Sequence, residues 1–579
     1  MCGGIRVLDG GRPLESATMA ERRSVFLRSF NVMRAAWTMV WAQLRGAPAA
    51  DEFRAGSGTR PRHAAISMNA APRKWIGPIP GWWWPRVPFA ILLFACGVWA
   101  YQPAMNRVFS GDQLGYFAEL HGETSLRSGW RLLDYGVQRH YSKGDQLCYR
   151  PLLFAGLAVE NAWFKRNLQA WNGANLGIHL AVAYLLFEML WRIRRTALAG
   201  GLALWFALLA SNFELATWSH LGGYMLGYGL LLLSLYASGK MEKDDASAGW
   251  FWIYGSAITC AMLEHEIAVV ACLGVAVHGI WFSPRRKKGW QWLGFLGAPL
   301  VIYGMLYAAH VMRCDRLFWV GNSGGGMDAD ALADWPSLLL RWAQHILLPR
   351  RDQLAFMAGG RSAWLPWPGG TPPEVLASIA LWAGFMVSVR NAWTWRRQSA
   401  IWPFGGFLIF LAVAYSGMNM AGRSGYVLEV PYYDYFPALF GAVWLYAHVD
   451  FSRLGRKGMM SAWACIVLLA GINGWQVYQI GRQSHELNRP WAHYLGWVES
   501  TVRPKLSQPG YSFAVRGVPE ELNPEGELTV GYPDQNQIER VHVLSGLYGK
   551  SHDEVAPSEV LVYPGLEERA RGAAASGAR

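Results

Sequence analysis

Charge is scarce in this 579-residue sequence. Asp, Glu, Lys and Arg make up 16% of it, against about 25% in ordinary soluble domains. With 52% of residues hydrophobic, a chain that is soluble throughout is excluded. Cysteine is also sparse: Cys2, Cys96, Cys148, Cys260, Cys272, Cys314 and Cys465 are scattered, odd in number and form no C-x-x-C, so no zinc site is readable. A disulfide between Cys148 and Cys314 stays open, because spacing alone does not show that two cysteines meet. No apolar core follows an early basic segment, so no secretory signal is expected in residues 1–83. No internal repeat is visible, which argues against solenoids and against the paired halves of many transporters.

Tryptophan, by contrast, is abundant, with 32 residues, and its amphipathic ring favours the membrane–water interface. The formal charge of +13 is concentrated in an Arg-rich N-terminus and in short loops at 192–195, 285–288 and Arg396-Arg397. Lys and Arg on one set of short loops orient a membrane protein, so the excess is read as a topology signal and no nucleic-acid partner is expected.

Apolar runs at 84–101, 171–191, 197–210, 222–238, 250–263, 267–282, 290–311, 375–393, 401–416, 435–449 and 459–480 give about 11 transmembrane helices. The expected fold class is an all-α polytopic membrane protein with a small soluble α+β domain at the C-terminus. Residues 1–83 read as a basic cytoplasmic extension. Within it, 20–45 forms either an amphipathic surface helix or part of a dispensable segment ahead of a start at Met68. Residues 84–480 form the membrane domain, with a short interfacial or re-entrant helix at 151–165 and a short polar turn on the outside at 211–221. Residues 481–579 form an extracytoplasmic domain with strands at 512–516, 527–530 and 541–544 and a disordered end at 570–579. The basic loops place the N-terminus in the cytoplasm, the C-terminus outside it, and the protein in the cell (inner) membrane, embedded in membrane lipids.

The first outside loop, 102–150, is the organising stretch, since a long polar loop between apolar runs is usually functional. It carries Asp112 near its start and Tyr149-Arg150-Pro151-Leu152 at its end. A partly desolvated carboxylate there suits a general base; a solvated loop acid is the alternative.

The order of motifs resembles the C-fold (GT-C) membrane glycosyltransferases that use polyprenyl-phosphate sugars. Within them it is most similar to the branch of the TPR-bearing O-mannosyltransferases, here without the TPR array. The residues that carry the resemblance are Gly111-Asp112 after the first span, Tyr149-Arg150-Pro151-Leu152, Asn175 with His179, Glu214 ahead of Trp218, His265-Glu266 in a turn, and Tyr432-Tyr433-Asp434-Tyr435-Phe436-Pro437 opening a late span. It departs from the pattern at Gly111, where the family has a first acid, at His265 in place of Lys, and at Tyr432 in place of Arg.

The resemblance implies inverting transfer of a sugar from a polyprenyl-phosphate donor to a hydroxyl of a glycan, lipid or protein acceptor outside the cytoplasm. Asp112 would be the base. Arg150, with His265 when protonated, would hold the donor phosphate, and Glu214, Glu266 and His179 would be supporting residues. Glu214 and Glu266 would orient Arg150 or His265, while His179 and Glu160 read more readily as polar contacts within the bundle. No cofactor is implied, and with Gly111 in place of the first acid a divalent metal is not indicated. Two other readings stay open: an O-antigen ligase or polymerase using Arg341, His345, Arg350 and Arg351 of the outside segment 313–370, and a non-enzymatic transporter.

Overall fold

A computed structural model describes residues 85–107, 137–139, 147–164, 167–241, 248–265, 268–269, 289–314, 434–448 and 455–502, and four short strands between 513 and 562. Packing divides the chain into two compact units, Met1–Leu92 and Leu93–Arg579. All side-chain contacts discussed below fall within the second.

Helix α1, Arg86–Tyr101, gives way at Gln102-Pro103 to a 3-10 turn, Gln102–Ala104. Helix α2, Pro151–Phe164, opens on the proline of the Tyr-Arg-Pro-Leu stretch, which suits a first helical position because its missing N–H needs no partner there. Helix α3, Leu168–Ile193, is capped by the Asn167 side chain, which accepts from the Ala170 N–H at 3.0 Å. Helices α4 (Ala197–Leu208), α5 (Phe213–Thr217), α6 (Gly222–Met241), α7 (Ala248–Glu264), α8 (Gly289–Cys314), α9 (Tyr435–His448) and α10 (Gly455–Val502) follow.

Among the described residues, four helical segments are long and apolar enough to cross a membrane: Arg86–Ala104, Leu168–Ile193, Ser219–Met241 and Lys457–His485. A fifth candidate is the pair Ala197–Leu208 and Ala210–Thr217, bent by 49°. The segments expected at 375–393 and 401–416, the N-terminal extension and nearly all of 267–282 and 313–370 lie outside the described residues.

The stretch 211–221, expected as a short polar turn, is helical and buried. It is a run of short helices (Ala210–Asn212, α5, Ser219–Leu221) in which only Trp218 is partly accessible. The sequence Ser-Asn interrupts α4, and the interior supplies partners for the backbone groups this frees. The Ala210 N–H donates to Asn473 Oδ1 at 3.1 Å, and Asn212 Nδ2 donates to the Phe206 carbonyl at 2.8 Å. A broken helix survives at membrane depth only with such partners. The last apolar span ends at His485, close to the expected 480, but its helix, α10, runs for 48 residues from Gly455 to Val502, well into the segment expected to be soluble.

Helix directions alternate. The end of α1, the start of α3, the start of α6 and the end of α7 meet at one face of the bundle. There Asn172 reaches residues 104–107, and Glu264 lies against Gly223. At the other face Arg194 donates to the Ala447 carbonyl and Thr196 bonds Tyr446. The basic loop 192–195 therefore sits at the end opposite Arg107 and Arg150.

Within the first outside loop, β1 (Val137–Arg139) pairs antiparallel with β2 (Leu147–Tyr149), a hairpin the sequence pattern does not announce. Near the C-terminus, β3 (Phe513–Arg516), β4 (Thr529–Val530), β5 (Val541–Val543) and β6 (Glu559–Val562) form a sheet in the order β4-β5-β3-β6. Strand β3 runs parallel to both neighbours, and β4 is antiparallel to β5.

Candidate active site

Arg150 lies between β2 and α2, with its guanidinium on α6. Nη1 donates to the Tyr224 hydroxyl, and Cζ is 5.0 Å from the Tyr224 ring centroid. The same ring packs against His265 at 4.6 Å between centroids. His265 follows the last turn of α7, where its N–H continues the helix to the Ala261 carbonyl at 2.9 Å. Burial, and after it the charge of Arg150, holds the imidazole pKa well below its usual 6.5. That shift favours the neutral ring, so of the two residues expected at the donor phosphate Arg150 is the one whose charge the site supports.

Glycine explains how α6 and α7 approach so closely here. Gly223 and Gly227 are four apart on α6, on one helix face. A Cβ at 223 would meet Leu153 Cδ1 at 2.4 Å and Glu264 Oε2 at 2.6 Å, and one at 227 would meet Glu264 Cβ at 3.1 Å. Glu264 is buried, and its Oε2 has no hydrogen-bond partner among the described residues. Glu160 on α2 is its electrostatic neighbour.

A second arginine, Arg107, is buried where the chain leaves α1. Nη1 donates to Thr217 Oγ1 at 3.0 Å. Cζ stands 5.2 Å from the Trp218 ring and 5.7 Å from that of Phe213, and Glu214 is its electrostatic partner. Desolvation lowers its pKa to about 10 against the opposing pull of Glu214, so it stays charged at pH 7. His179 is fully enclosed between other elements. Nε2 is 2.9 Å from the Ala207 carbonyl and so carries the proton, and Nδ1 accepts from the Tyr435 hydroxyl at 3.1 Å. An aromatic column, His179–Tyr435–Tyr228–His265–Tyr224, joins it to Arg150 with successive centroids 5.5, 5.9, 5.8 and 4.6 Å apart.

The backbone is similar to that of two solved membrane-protein chains. One is the oligosaccharyltransferase of Archaeoglobus fulgidus, solved in the apo form and tethered to an acceptor peptide containing the NVT sequon. Each match has a TM-score of 0.43 and 13% identity over 76% of this chain and 62–63% of that one. The other is ArnT from Cupriavidus metallidurans. Its apo state has a TM-score of 0.35 and 16% identity, over 76% of this chain and 84% of that one, and its undecaprenyl-phosphate-bound state has a TM-score of 0.31. This chain thus spans less than two thirds of the length of the oligosaccharyltransferase. No family model and no curated protein match the sequence.

Of the residues singled out from the sequence, the fold brings Arg150 and His265 together through Tyr224. It sets Glu214 beside Arg107. His179 is a satisfied bundle contact. Asp112 and Glu266 lie outside the described residues. Sequence reasoning passed over Tyr224 and Arg107. The signal for Arg107 was present: Glu214, Thr217 and Trp218, the motif noted ahead of α6, are the residues that surround it. Among the described residues no cluster of His, Cys, Asp and Glu could hold a metal ion.

Proposed function

We propose that this chain is an integral membrane glycosyltransferase that moves a sugar from a polyprenyl-phosphate donor to an acceptor hydroxyl on the extracytoplasmic side. The observation that carries the proposal is the Arg150–Tyr224–His265 assembly, at the bundle face opposite the basic loop 192–195. A guanidinium set against a phenol presents the planar fork that suits a phosphate oxyanion. The place is partly buried, and charges there interact more strongly than in water.

In this mechanism the acceptor hydroxyl attacks the anomeric carbon in line as the lipid phosphate departs. Asp112 takes the hydroxyl proton. Arg150 neutralises charge that grows on the leaving phosphate, and His265, being neutral, adds at most one hydrogen bond. Such preorganised groups act most where charge develops in the transition state. The hexosyl identity of the sugar and the cell-membrane topology, with the N-terminus cytoplasmic and the C-terminus outside, belong to the same proposal.

The test uses the purified chain in liposomes with radiolabelled hexose on a polyprenyl phosphate. Arg150→Lys keeps the charge and loses the fork, so donor KM is expected to rise about tenfold or more, as loss of a charge-assisted hydrogen bond implies. An unchanged donor KM with intact turnover would make Arg150 a loop anchor, and no transfer by the wild type from any of a panel of lipid-linked hexoses would sink the reading.

A further inference from the structure

Arg107 and Arg150 stand at the two ends of the first outside loop, and one continuous segment holds both. Glu214, Thr217 and Trp218 enclose Arg107. The chain then makes one 3-10 turn, Ser219–Leu221, and enters α6, where Tyr224 takes Arg150. Eleven residues, from Glu214 to Tyr224, thus grip both ends of the loop.

Helix α3 serves as the shared reference. Asn172 Nδ2 donates to the Met105 carbonyl at 3.0 Å and the Arg107 carbonyl at 3.1 Å, and Gln169 Nε2 donates to Asn106 Oδ1 at 2.8 Å. One turn on, Asn175 Nδ2 donates to the Leu215 and Trp218 carbonyls, and its Oδ1 fills the space a Cβ at Gly222 would need. The exit of α1 and the broken span are therefore fixed to the same face of one helix. A plain loop exit needs none of this, since an apolar residue in place of Arg107 would avoid the desolvation of a buried guanidinium. A buried guanidinium with a carboxylate in its field is suited to specifying one arrangement.

We infer that Arg107 and Glu214 are positioning residues, and that the broken span is a clasp that closes the base of the outside loop and sets where its acid is presented relative to Arg150. This rests on the transfer reading above, in which Asp112 acts five residues beyond Arg107. Neither residue touches substrate in this account.

The test compares Arg107→Gln, Glu214→Gln and the double variant in liposomes, with spin labels at Gln113 and at the exposed Trp163 of α2 in a background without native cysteines. Each single variant is expected to broaden the label-to-label distance distribution. Each should lower kcat about tenfold to a hundredfold, the range a displacement of roughly 1 Å produces, with donor KM within twofold, and the double should be no worse than the weaker single. An unchanged distance distribution in both singles overturns the clasp, as does a loss confined to folded yield with kcat per folded molecule intact. Arg107→Lys guards against loss of folding. The burial that lowers Arg107 would pull a lysine below its ordinary pKa of about 10.4, so transfer should fall reversibly between pH 7 and 9 while the wild type stays flat; a flat profile in the variant counts against the clasp. If Asp112→Asn keeps full transfer while the Arg107 variants still broaden the distance, the clasp stands and the general-base assignment falls.

Discussion

Gly223→Ala probes how tightly α2, α6 and α7 are fitted together beneath Arg150. The added methyl would lie 2.4 Å from Leu153 Cδ1 and 2.6 Å from Glu264 Oε2, both well inside contact distance. Leu153 is nearly inaccessible, and Glu264 is held between α6 and α7, so neither can swing away without moving a helix. Overpacking of this kind costs about 1–3 kcal/mol. Leu153→Ala alone removes buried methyl groups and costs about 2–5 kcal/mol. In the double variant the new methyl occupies part of the space Leu153 vacates. The two changes should therefore couple favourably, with the pair less destabilised than the sum by about 1 kcal/mol or more. The assay is thermal unfolding in detergent followed by intrinsic Trp fluorescence. Additive effects, or a Gly223→Ala midpoint equal to wild type, would refute the close approach of α2, α6 and α7. The variant also sits beside Tyr224, so a shift of α6 should raise donor KM as well.

Protonation of His265 should carry a pH signature. Its folded pKa lies below the unfolded value of about 6.5, so the folded state binds fewer protons than the unfolded one. Its contribution is fully present above about pH 6.5 and is lost as pH falls below it. The wild-type unfolding midpoint should drop from pH 7 to 5 more than that of His265→Gln; equal drops would contradict the buried neutral ring. Asp112→Asn should insert and fold normally, while transfer per folded molecule falls by about 10²–10⁴-fold with donor KM nearly unchanged. Retained activity there would move the search for the base to Asp145.

How much of this was readable in advance depended on range. Helices α1, α3, α6 and α7 were legible because long apolar runs with basic ends identify themselves, and Arg150 because Tyr-Arg-Pro-Leu marks the entry to α2. The burial of 209–221 was not legible. Asn212 and Glu214 look like a solvent turn until the partners of this segment are known: Asn473 for the Ala210 N–H, Phe206 for Asn212 and Arg107 for Glu214, up to 263 residues away. Tyr224 was hidden for another reason: in a span with several tyrosines, nothing local distinguishes the one that meets Arg150. The continuation of α10 was missed because polarity rises after 482 while helix propensity does not fall, and polarity was taken as the boundary.

Helix α10 has a mechanical consequence. Forty-eight residues at 1.5 Å each make a rod of about 72 Å, far longer than the ~30 Å hydrocarbon layer. A span tilts when the bilayer around it thins, and a change of about 10° pivoting near Asn473 would swing Val502 sideways by roughly 8 Å. The far end of α10 is thus geared to bilayer thickness, and since Gly481 of the same helix packs on the Pro103-Ala104 turn that leads to Arg107, the rod joins that motion to the exit of α1.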